Sequence, residues 1–205
     1  GSICILILRR KQKCYRKRAE MRVIAGTARS LQLKTVDSMD TRPTQDRIKE
    51  TLFNILQFEV QGIDFLDLFA GSGGIGIEAI SRGARRAVFV DNAPKSIRCI
   101  EENLAHCKFT EEGMVIASDY MSALNRLRNA GYHFNVVFMD PPYNHGFERK
   151  AMDILHDMDY VDEHTLFIIE ADLDDDLTDD IEALGYTLVR EKLYKTNKHV
   201  FFRKK

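Results

Sequence analysis

The clearest chemical feature of the chain is a run of four residues that follows an apolar segment: Asp140, Pro141, Pro142 and Tyr143. The two prolines fix the backbone and remove two N–H donors, so the run offers a ligand only carbonyl and carboxylate acceptors. Acceptors of this kind suit an NH2 group, and the ring of Tyr143 could stack on a base for about 1–3 kcal/mol. The run therefore predicts a catalytic loop that holds the exocyclic amine of a nucleobase. A rigid turn with a buried aromatic ring is the structural alternative.

A glycine-rich turn earlier in the chain predicts the second half of the site. Residues 65–76 begin as an apolar strand, break into glycines and continue as a helical pattern. Gly71 and Gly73 allow a sharp bend close to a ligand, and Gly76 allows the helix to pack against the strand. The helix start would offer free backbone N–H groups. The spacing also matches the dinucleotide fingerprint, and a turn that serves packing alone looks the same, so this motif leaves the cofactor open.

Acidic residues lie at the ends of four apolar segments. In an open α/β sheet, ligands bind beyond the carboxyl ends of the strands, so these acids should converge on one crevice. The second acid lies about 20 residues beyond the glycine turn, where a ribose-binding carboxylate is expected. The four acids are Asp67, Asp91, Asp119 and Asp140.

The acceptor loop and the acids together favour S-adenosylmethionine as cofactor, with S-adenosylhomocysteine as product. This cofactor carries an activated methyl group, so the protein need only align that group with the amine and exclude water. Asp91 would accept from the ribose hydroxyls, and Asp119 would meet the adenine amino group. No metal is required, and the six histidines show no paired ligand spacing. The predicted cofactor-binding residues are Asp67, Phe69, Gly71, Gly73, Gly76, Asp91, Asn92, Ser118 and Asp119.

The pattern from residue 64 onward predicts the fold class. Apolar strands are predicted at residues 65–69, 87–91, 114–117, 135–139 and 165–170, with helices at 74–82, 95–106, 120–129 and 148–157. This alternation is typical of a parallel sheet covered on both faces. Residues 186–194 and 199–203 are predicted as two further strands, joined by a turn at 195–198. The prediction is an α/β, Rossmann-like sheet, mostly parallel and seven-stranded, with a C-terminal antiparallel hairpin. The acidic run at 174–180 is interpreted as the solvated start of a last helix rather than a metal site.

The segment before this core carries basic side chains. Residues 22–26 and 31–34 alternate in polarity around Gly26, which predicts a β-hairpin. Thr44 is the predicted N-cap of a following helix with one apolar face. The basic side chains could contact RNA phosphates, or they could form an ordinary solvated surface. The predicted RNA-binding residues are Arg22, Arg29, Lys34, Arg42, Arg47 and Lys49.

Composition further narrows the class of protein. The 205 residues are 44% hydrophobic, enough for one substantial core. No apolar run approaches the roughly 20 residues that span a bilayer, so no membrane contact is expected. The four cysteines have no C-x-x-C spacing, which favours reduced thiols and a cytoplasmic location. The net charge of −1 includes seven basic residues and one acid, Glu20, among the first 20. The remainder therefore carries −7 and could contact nucleic acid only through a local basic patch.

The first 20 residues differ from the rest. An apolar stretch precedes the basic run, which is the wrong order for a signal peptide. We expect residues 1–20 to be a non-native or disordered extension before a start at Met21, although a basic arm that binds RNA is the alternative. Residues 21–205 are then expected to form a single domain, with the hairpin and helix at 21–60 and the Rossmann-like core at 61–205.

With these residues in view, the chain resembles the class I S-adenosylmethionine-dependent methyltransferases, and more closely the bacterial 16S rRNA guanine-N2-methyltransferase family. The resemblance covers about residues 21–205 and is most specific in segments 21–26, 41–56, 67–73 and 140–143. It implies methylation of the 2-amino group of one guanine in 16S rRNA, within an assembled or assembling small ribosomal subunit, and cofactor roles for Asp67, Gly71, Asp91 and Asp119. We expect the protein to act as a monomer. Family members usually carry glycine near Ser30 and a more basic hairpin, and this chain departs from both.

Three other functions fit parts of the pattern. A DNA adenine methyltransferase uses the same acceptor run on another exocyclic amine, although this chain has no room for a separate target-recognition domain. An NAD-dependent oxidoreductase fits the glycine turn but not the acceptor run or the terminal hairpin. An RNA-binding assembly factor with an inactive pocket would bind rRNA without transferring a methyl group.

Overall fold

The computed structural model describes residues 21–36, 43–142 and 145–205, and only the backbone of residues 43 and 44. The predictions for residues 1–20, Arg42 and Tyr143 therefore lie outside the described residues. The strands are β1 (Met21–Arg22), β2 (Gln32–Leu33), β3 (Asp64–Leu68), β4 (Arg86–Asp91), β5 (Gly113–Ala117), β6 (Val136–Met139), β7 (Leu166–Asp172), β8 (Tyr186–Leu193) and β9 (Asn197–Lys204). The helices are α1 (Pro43–Ile55), α2 (Gly74–Ser81), α3 (Pro94–Cys107), α4 (Tyr120–Leu127), α5 (Phe147–His156) and α6 (Thr178–Ala183).

Strands β3 to β9 form one seven-stranded sheet in the order β5-β4-β3-β6-β7-β9-β8. The pairings among β3, β4, β5, β6 and β7 are parallel, and β9 is antiparallel to both β7 and β8. The strand order reverses direction between β3 and β6, which is the topological switch point where ligands bind in such sheets. The predicted fold class is confirmed.

Two apolar cores cover the two faces of the sheet. One packs α4, α5 and α6 against alternate residues such as Leu66, Val137 and Phe167. The other packs α1, α2 and α3 against the opposite residues, including Phe65 and Phe89. Because the inner strands are apolar on both faces, their carboxyl ends are the part of the sheet where polar side chains can gather.

The N-terminal segment packs onto the second core. Val23, Ala28 and Leu33 are buried in the same cluster as the apolar face of α1. The regular hairpin is shorter than the alternation predicts, because β1 and β2 contain two residues each, with Met21 paired to Leu33. The connection between them spans residues 23–31, and within it Ser30 adopts a left-handed φ of 70°.

Two predictions about where helices and strands begin or end were wrong. Helix α1 begins at Pro43, so Thr44 lies inside the helix and is not its N-cap. Proline is well suited to the first helical position, since its fixed φ is already helical and its missing N–H has no helical partner. The terminal turn is also shorter than predicted, because Asn197 and Lys198 belong to β9 and pair with Asp172 and Leu193. Among the described residues, no helix is both long and apolar enough to cross a membrane.

Candidate active site

Two cavities meet at the carboxyl ends of β3, β4 and β6. The first, of about 260 Å³, lies between the glycine turn, α1 and the ends of β6, β7 and β9. The second, of about 440 Å³, lies between the ends of β4 and β5 and the starts of α4 and α5. Phe69 and Asp140 line both cavities, so they stand at the boundary. The structure therefore brings the glycine turn, the strand-end acids and the start of the acceptor run into one region, as the sequence predicts.

The glycine turn adopts a conformation that side chains would oppose. Gly71 and Gly73 have φ values of 57° and 79°, in the left-handed region that glycine tolerates. Gly76 is needed for close packing, because a Cβ there would lie 2.3 Å from Cε1 of Phe89. The N–H of Gly76 also donates to Asp67 Oδ2 at 2.9 Å, which ties the first turn of α2 back to β3. The bend and the helix packing predicted for these glycines are both present.

Asp91 holds the same turn from the neighbouring strand. Its Oδ2 accepts a 2.9 Å hydrogen bond from the N–H of Gly71, and its Oδ1 accepts one of 2.9 Å from the N–H of Ala93. Each carboxylate oxygen can accept a second hydrogen bond, and Asp91 lines the larger cavity. The carboxylate is thus both fixed in position and able to accept from a vicinal pair of hydroxyls.

The larger cavity has the lining that an adenosyl group needs. Its volume lies within the range typical of small-ligand sites, and its walls contain both aromatic rings and polar groups. Asn92 and Ser118, which are predicted to bind the cofactor, lie in its wall. Asp119 also lines it, but one oxygen is already used, because Oδ1 accepts from the N–H of Ser122 and caps α4. That hydrogen bond holds the pKa of Asp119 below its usual value, so the carboxylate remains an acceptor.

Aromatic rings form the floor between the cavities. Phe69 stacks on Phe147, with ring centroids 6.3 Å apart and planes 7° apart, and is tilted against Tyr120 at 5.2 Å. Its φ of 69° is unusual for a bulky residue and stores local strain. Strain of this kind persists only where the surrounding packing enforces it, and here it directs the chain from β3 into the glycine turn.

Asp67 and Asp140 are acids in an environment that favours their neutral forms. Burial raises the pKa of Asp67 to about 7, against the opposing effect of the Gly76 hydrogen bond. Burial, with added repulsion from Glu170 and Asp67, raises the pKa of Asp140 well above its usual value. The residue as a whole is nevertheless exposed, because it lines both cavities. A cationic ligand in this region would stabilise both carboxylates, so the charge distribution suits a sulfonium.

The observations above fit S-adenosylmethionine. Asp91 provides a fixed acceptor pair, the larger cavity has polar and aromatic walls, and the backbone of the glycine turn lines the smaller cavity. Among the described residues, no group of His, Cys, Asp and Glu side chains is arranged to hold a metal ion.

The predicted basic residues divide into exposed and buried ones. Arg22, Arg29, Lys34 and Arg47 are exposed, although Arg22 pairs with Asp46 and Lys34 pairs with Glu102. Lys49, in contrast, is only 4% exposed.

The interactions of Lys49 are inside the protein. Its Nζ donates to the carbonyl of Arg22 at 2.6 Å and lies 3.5 Å from Glu78 Oε2. Its ammonium joins α1 to the N-terminal segment and to α2, and Lys49 also lines the smaller cavity, so it differs from the exposed basic residues as a possible phosphate contact. Nothing in the sequence around Lys49 indicated that this charged side chain would be buried.

Two further features of the site, a buried acid on α2 and a polar pair beside Asp140, were not identified from the sequence. Glu78 is fully buried on α2 and accepts from the N–H groups of Ile24 and Ala25 at 2.8 and 3.0 Å, which fixes the N-terminal segment beside the glycine turn. Glu170 and His199 line the smaller cavity beside Asp140. The only sequence signal for Glu170 is that an acid again ends an apolar strand.

The sheet order, the glycine turn and the strand-end acids define a class I methyltransferase fold. The solved structure of yhhF from Escherichia coli superimposes with a TM-score of 0.74 at 29% identity, covering 90% of this chain and 98% of that one. The chain belongs to the family described as Conserved hypothetical protein 95, whose family model matches residues 21–203.

Curated relatives carry more specific names. The chain is 35% identical to "Ribosomal RNA small subunit methyltransferase D" of Haemophilus influenzae, over 85% of this chain and 89% of the relative. It is 33% identical to the protein of the same name from Escherichia coli strain K12, over 85% of each chain. The family resemblance drawn from the sequence is confirmed.

Proposed function

We propose that this protein transfers a methyl group from S-adenosylmethionine to the exocyclic 2-amino group of a guanine in 16S rRNA of the small ribosomal subunit, releasing S-adenosylhomocysteine. The observation that carries the proposal is the position of Asp140 on the boundary between a cavity suited to adenosine and a second cavity beside the glycine turn. The names of the relatives supply the substrate class, since both printed names describe a methyltransferase of small-subunit ribosomal RNA.

The residues of the site would act by holding the amine. The Asp140 carboxylate and the Pro141 carbonyl would accept the two amine hydrogens and so direct the nitrogen lone pair toward the neighbouring cavity. Bound S-adenosylmethionine would supply the methyl group, with a C–N bond formed as the C–S bond breaks. The alkylated nitrogen is acidic, and Asp140, whose pKa is raised by burial and by Glu170, is placed to take its proton. The proposed ring stacking by Tyr143 concerns a residue outside the described part of the chain.

The cofactor would lie across both cavities. Asp91 and Asn92 would receive the ribose, Ser118 and Asp119 would lie beside the adenine, and the methionine portion would lie along the glycine turn. Helix α1 contributes Gln45 to the smaller cavity. Action as a monomer is part of this proposal.

The exposed basic residues are proposed as the surface that meets rRNA. Arg22, Arg29 and Lys34 lie on the N-terminal segment, and Arg47 lies on the exposed side of α1. Both elements border the glycine turn, because Met21 and Gln45 line the smaller cavity. Phosphate contacts here would place a base from the bound RNA near Asp140.

A methyl-transfer assay tests the proposal. Small subunits, free 16S rRNA and duplex DNA are each incubated with the protein and labelled S-adenosylmethionine. We expect transfer to the ribosomal substrates and a loss of at least about 100-fold for Asp140→Ala, because the amine is no longer aligned. Asp157→Ala, which removes an exposed acid beyond α5, is the matched control and should retain full activity.

The other outcomes each identify a different function. Transfer to duplex DNA alone would indicate the adenine methyltransferase, and rRNA binding that is indifferent to Asp140→Ala without any transfer would indicate an assembly factor. Binding of NAD in place of S-adenosylmethionine, measured by calorimetric titration, would indicate an oxidoreductase.

A further inference from the structure

Three polar side chains form a row across the sheet at the smaller cavity. Met139, the last residue of β6, pairs with Ile169 of β7, so Asp140, which directly follows β6, comes beside Glu170 of β7. Glu170 in turn pairs with His199 of β9. Paired residues project on the same face of a sheet, and all three line the smaller cavity. A base held by Asp140 would therefore meet Glu170 next.

The carboxylate of Glu170 is fixed by two donors from β9. Its Oε1 accepts from Nδ2 of Asn197 at 2.6 Å, and its Oε2 lies 3.3 Å from Nε2 of His199. The Tyr194 hydroxyl lies 2.9 Å from Nδ1 of His199, so a hydroxyl that donates there leaves the proton on Nε2, directed at Glu170. His199 and Asn197 are buried, which makes this orientation rigid.

Glu170 retains the capacity to bind a ligand. Each carboxylate oxygen has two lone-pair sites, and one on each is used within the protein. The side chain is 21% exposed, whereas His199 is fully buried, so the accessible part of the pair is the carboxylate. Asp140 and Glu170 thus present two acceptors side by side at the cavity wall.

Two adjacent acceptors match one edge of guanine. Guanine carries an N1–H beside its 2-amino group, so this edge offers donors at two neighbouring positions. Adenine carries a lone pair at N1 beside its 6-amino group, which would face a carboxylate without a hydrogen between them. We propose that Glu170 is the specificity-determining residue of the site, accepting the N1–H of the target base while Asp140 accepts its amine. This inference rests on the proposed function and adds to it a basis for choosing guanine over adenine.

The selectivity should be large, because a base with a lone pair at N1 leaves two acceptors facing each other in a partly desolvated cavity. A hydrogen bond to a charged group contributes enough to change a specificity ratio by about 10- to 100-fold. The contribution of Glu170 to structure alone, through Asn197 and His199, would affect all substrates equally. A ratio between two substrates therefore separates the two roles.

The test compares guanine with 2-aminopurine, which has the same 2-amino group but a lone pair at N1. The methylated nucleotide is mapped first, and 16S rRNA with either base at that position is reconstituted into small subunits. Wild-type protein should favour guanine by about 10- to 100-fold in single-turnover methyl transfer. Glu170→Gln, which can donate from its amide to a lone pair, should reduce that ratio by about tenfold or more. Glu182→Gln, on the exposed part of α6, is the control and should leave the ratio unchanged.

Cofactor affinity gives a second readout. S-adenosylhomocysteine should bind Glu170→Gln within about threefold of wild type by calorimetry. Glu170 belongs to the wall of the smaller cavity formed by β6, β7 and β9, whereas the methionine portion of the cofactor is proposed to lie along the glycine turn. Equal losses on both substrates, or an unchanged ratio in the variant, would overturn the role of Glu170.

The ratio of guanine to 2-aminopurine methylation by wild-type protein tests the inference without any variant. If wild-type protein methylates guanine and 2-aminopurine equally well, the selectivity inference fails while the proposed function remains. If wild-type protein methylates no nucleotide of the small subunit, the proposed function fails and the inference fails with it.

Discussion

Replacing Asp67 by asparagine should stabilise the protein at neutral pH, because the buried carboxyl group destabilises the folded state when it is ionised. Asp67 is 2% exposed, and burial raises its pKa to about 7 from an ordinary value of 3.8. The folded state therefore binds the proton more tightly than the unfolded chain does. The free energy of unfolding is reduced as pH rises from about 4 to about 7, and the reduction is constant above that range.

The size of the effect follows from the difference in pKa. A difference of about 3 units at 1.36 kcal/mol per unit gives about 4 kcal/mol at pH 8. Between pH 5 and pH 8 the advantage of Asp67→Asn should grow by about 2–3 kcal/mol. Asparagine keeps an oxygen that can accept the Gly76 N–H, now 2.9 Å from Asp67 Oδ2, so the start of α2 should remain in place.

Urea unfolding of the cofactor-free protein at pH 5 and pH 8 measures this growth. Asp119→Asn is the control, because its pKa is lowered by the Ser122 N–H and its replacement should not stabilise the protein as pH rises. An Asp67→Asn advantage that is the same at both pH values would refute the reasoning, since it would show that the carboxylate is ionised in the fold without penalty.

Two other predictions concern the same site. Asp91→Ala should weaken the binding of S-adenosylhomocysteine by about 10- to 100-fold in calorimetry, because the ribose loses a charged acceptor. An unchanged dissociation constant would remove Asp91 from the cofactor site. Gly76→Ala should destabilise the fold in urea unfolding, because its Cβ would lie 2.3 Å from the Phe89 ring. The overpacking should cost about 1–3 kcal/mol, and the higher helix propensity of alanine should offset roughly 1 kcal/mol of that cost. Gly74→Ala should cost less, since the atom it meets is the flexible Met21 thioether; equal effects would show that Phe89 can move.

The sheet, and the position of the strand-end acids at one edge of it, could be predicted because their signals are local. Apolar runs that end in acids define parallel strands and place Asp67, Asp91 and Asp140 at one edge without any knowledge of contacts. Gly76 was likewise predictable, because the requirement for close helix packing follows from its spacing after the turn.

The parts that sequence reasoning missed depend on contacts between distant segments. Lys49 and Glu78 are charged residues on helices, and a solvated position is the ordinary expectation for both. Their burial follows from the N-terminal segment, whose backbone N–H groups at Ile24 and Ala25 need an acceptor and find it in Glu78. The position of Glu170 beside Asp140 and His199 follows only from the strand order, which places β7 between β6 and β9.

The most direct test of the central claim is a map of N2-methylguanosine in 16S rRNA. Mass spectrometry would compare rRNA from a strain that lacks the gene with rRNA from the same strain carrying the wild-type or the Asp140→Ala gene. The account predicts that one N2-methylguanosine is missing without the gene, is restored by the wild type and is not restored by Asp140→Ala. Full restoration by Asp140→Ala would contradict the account.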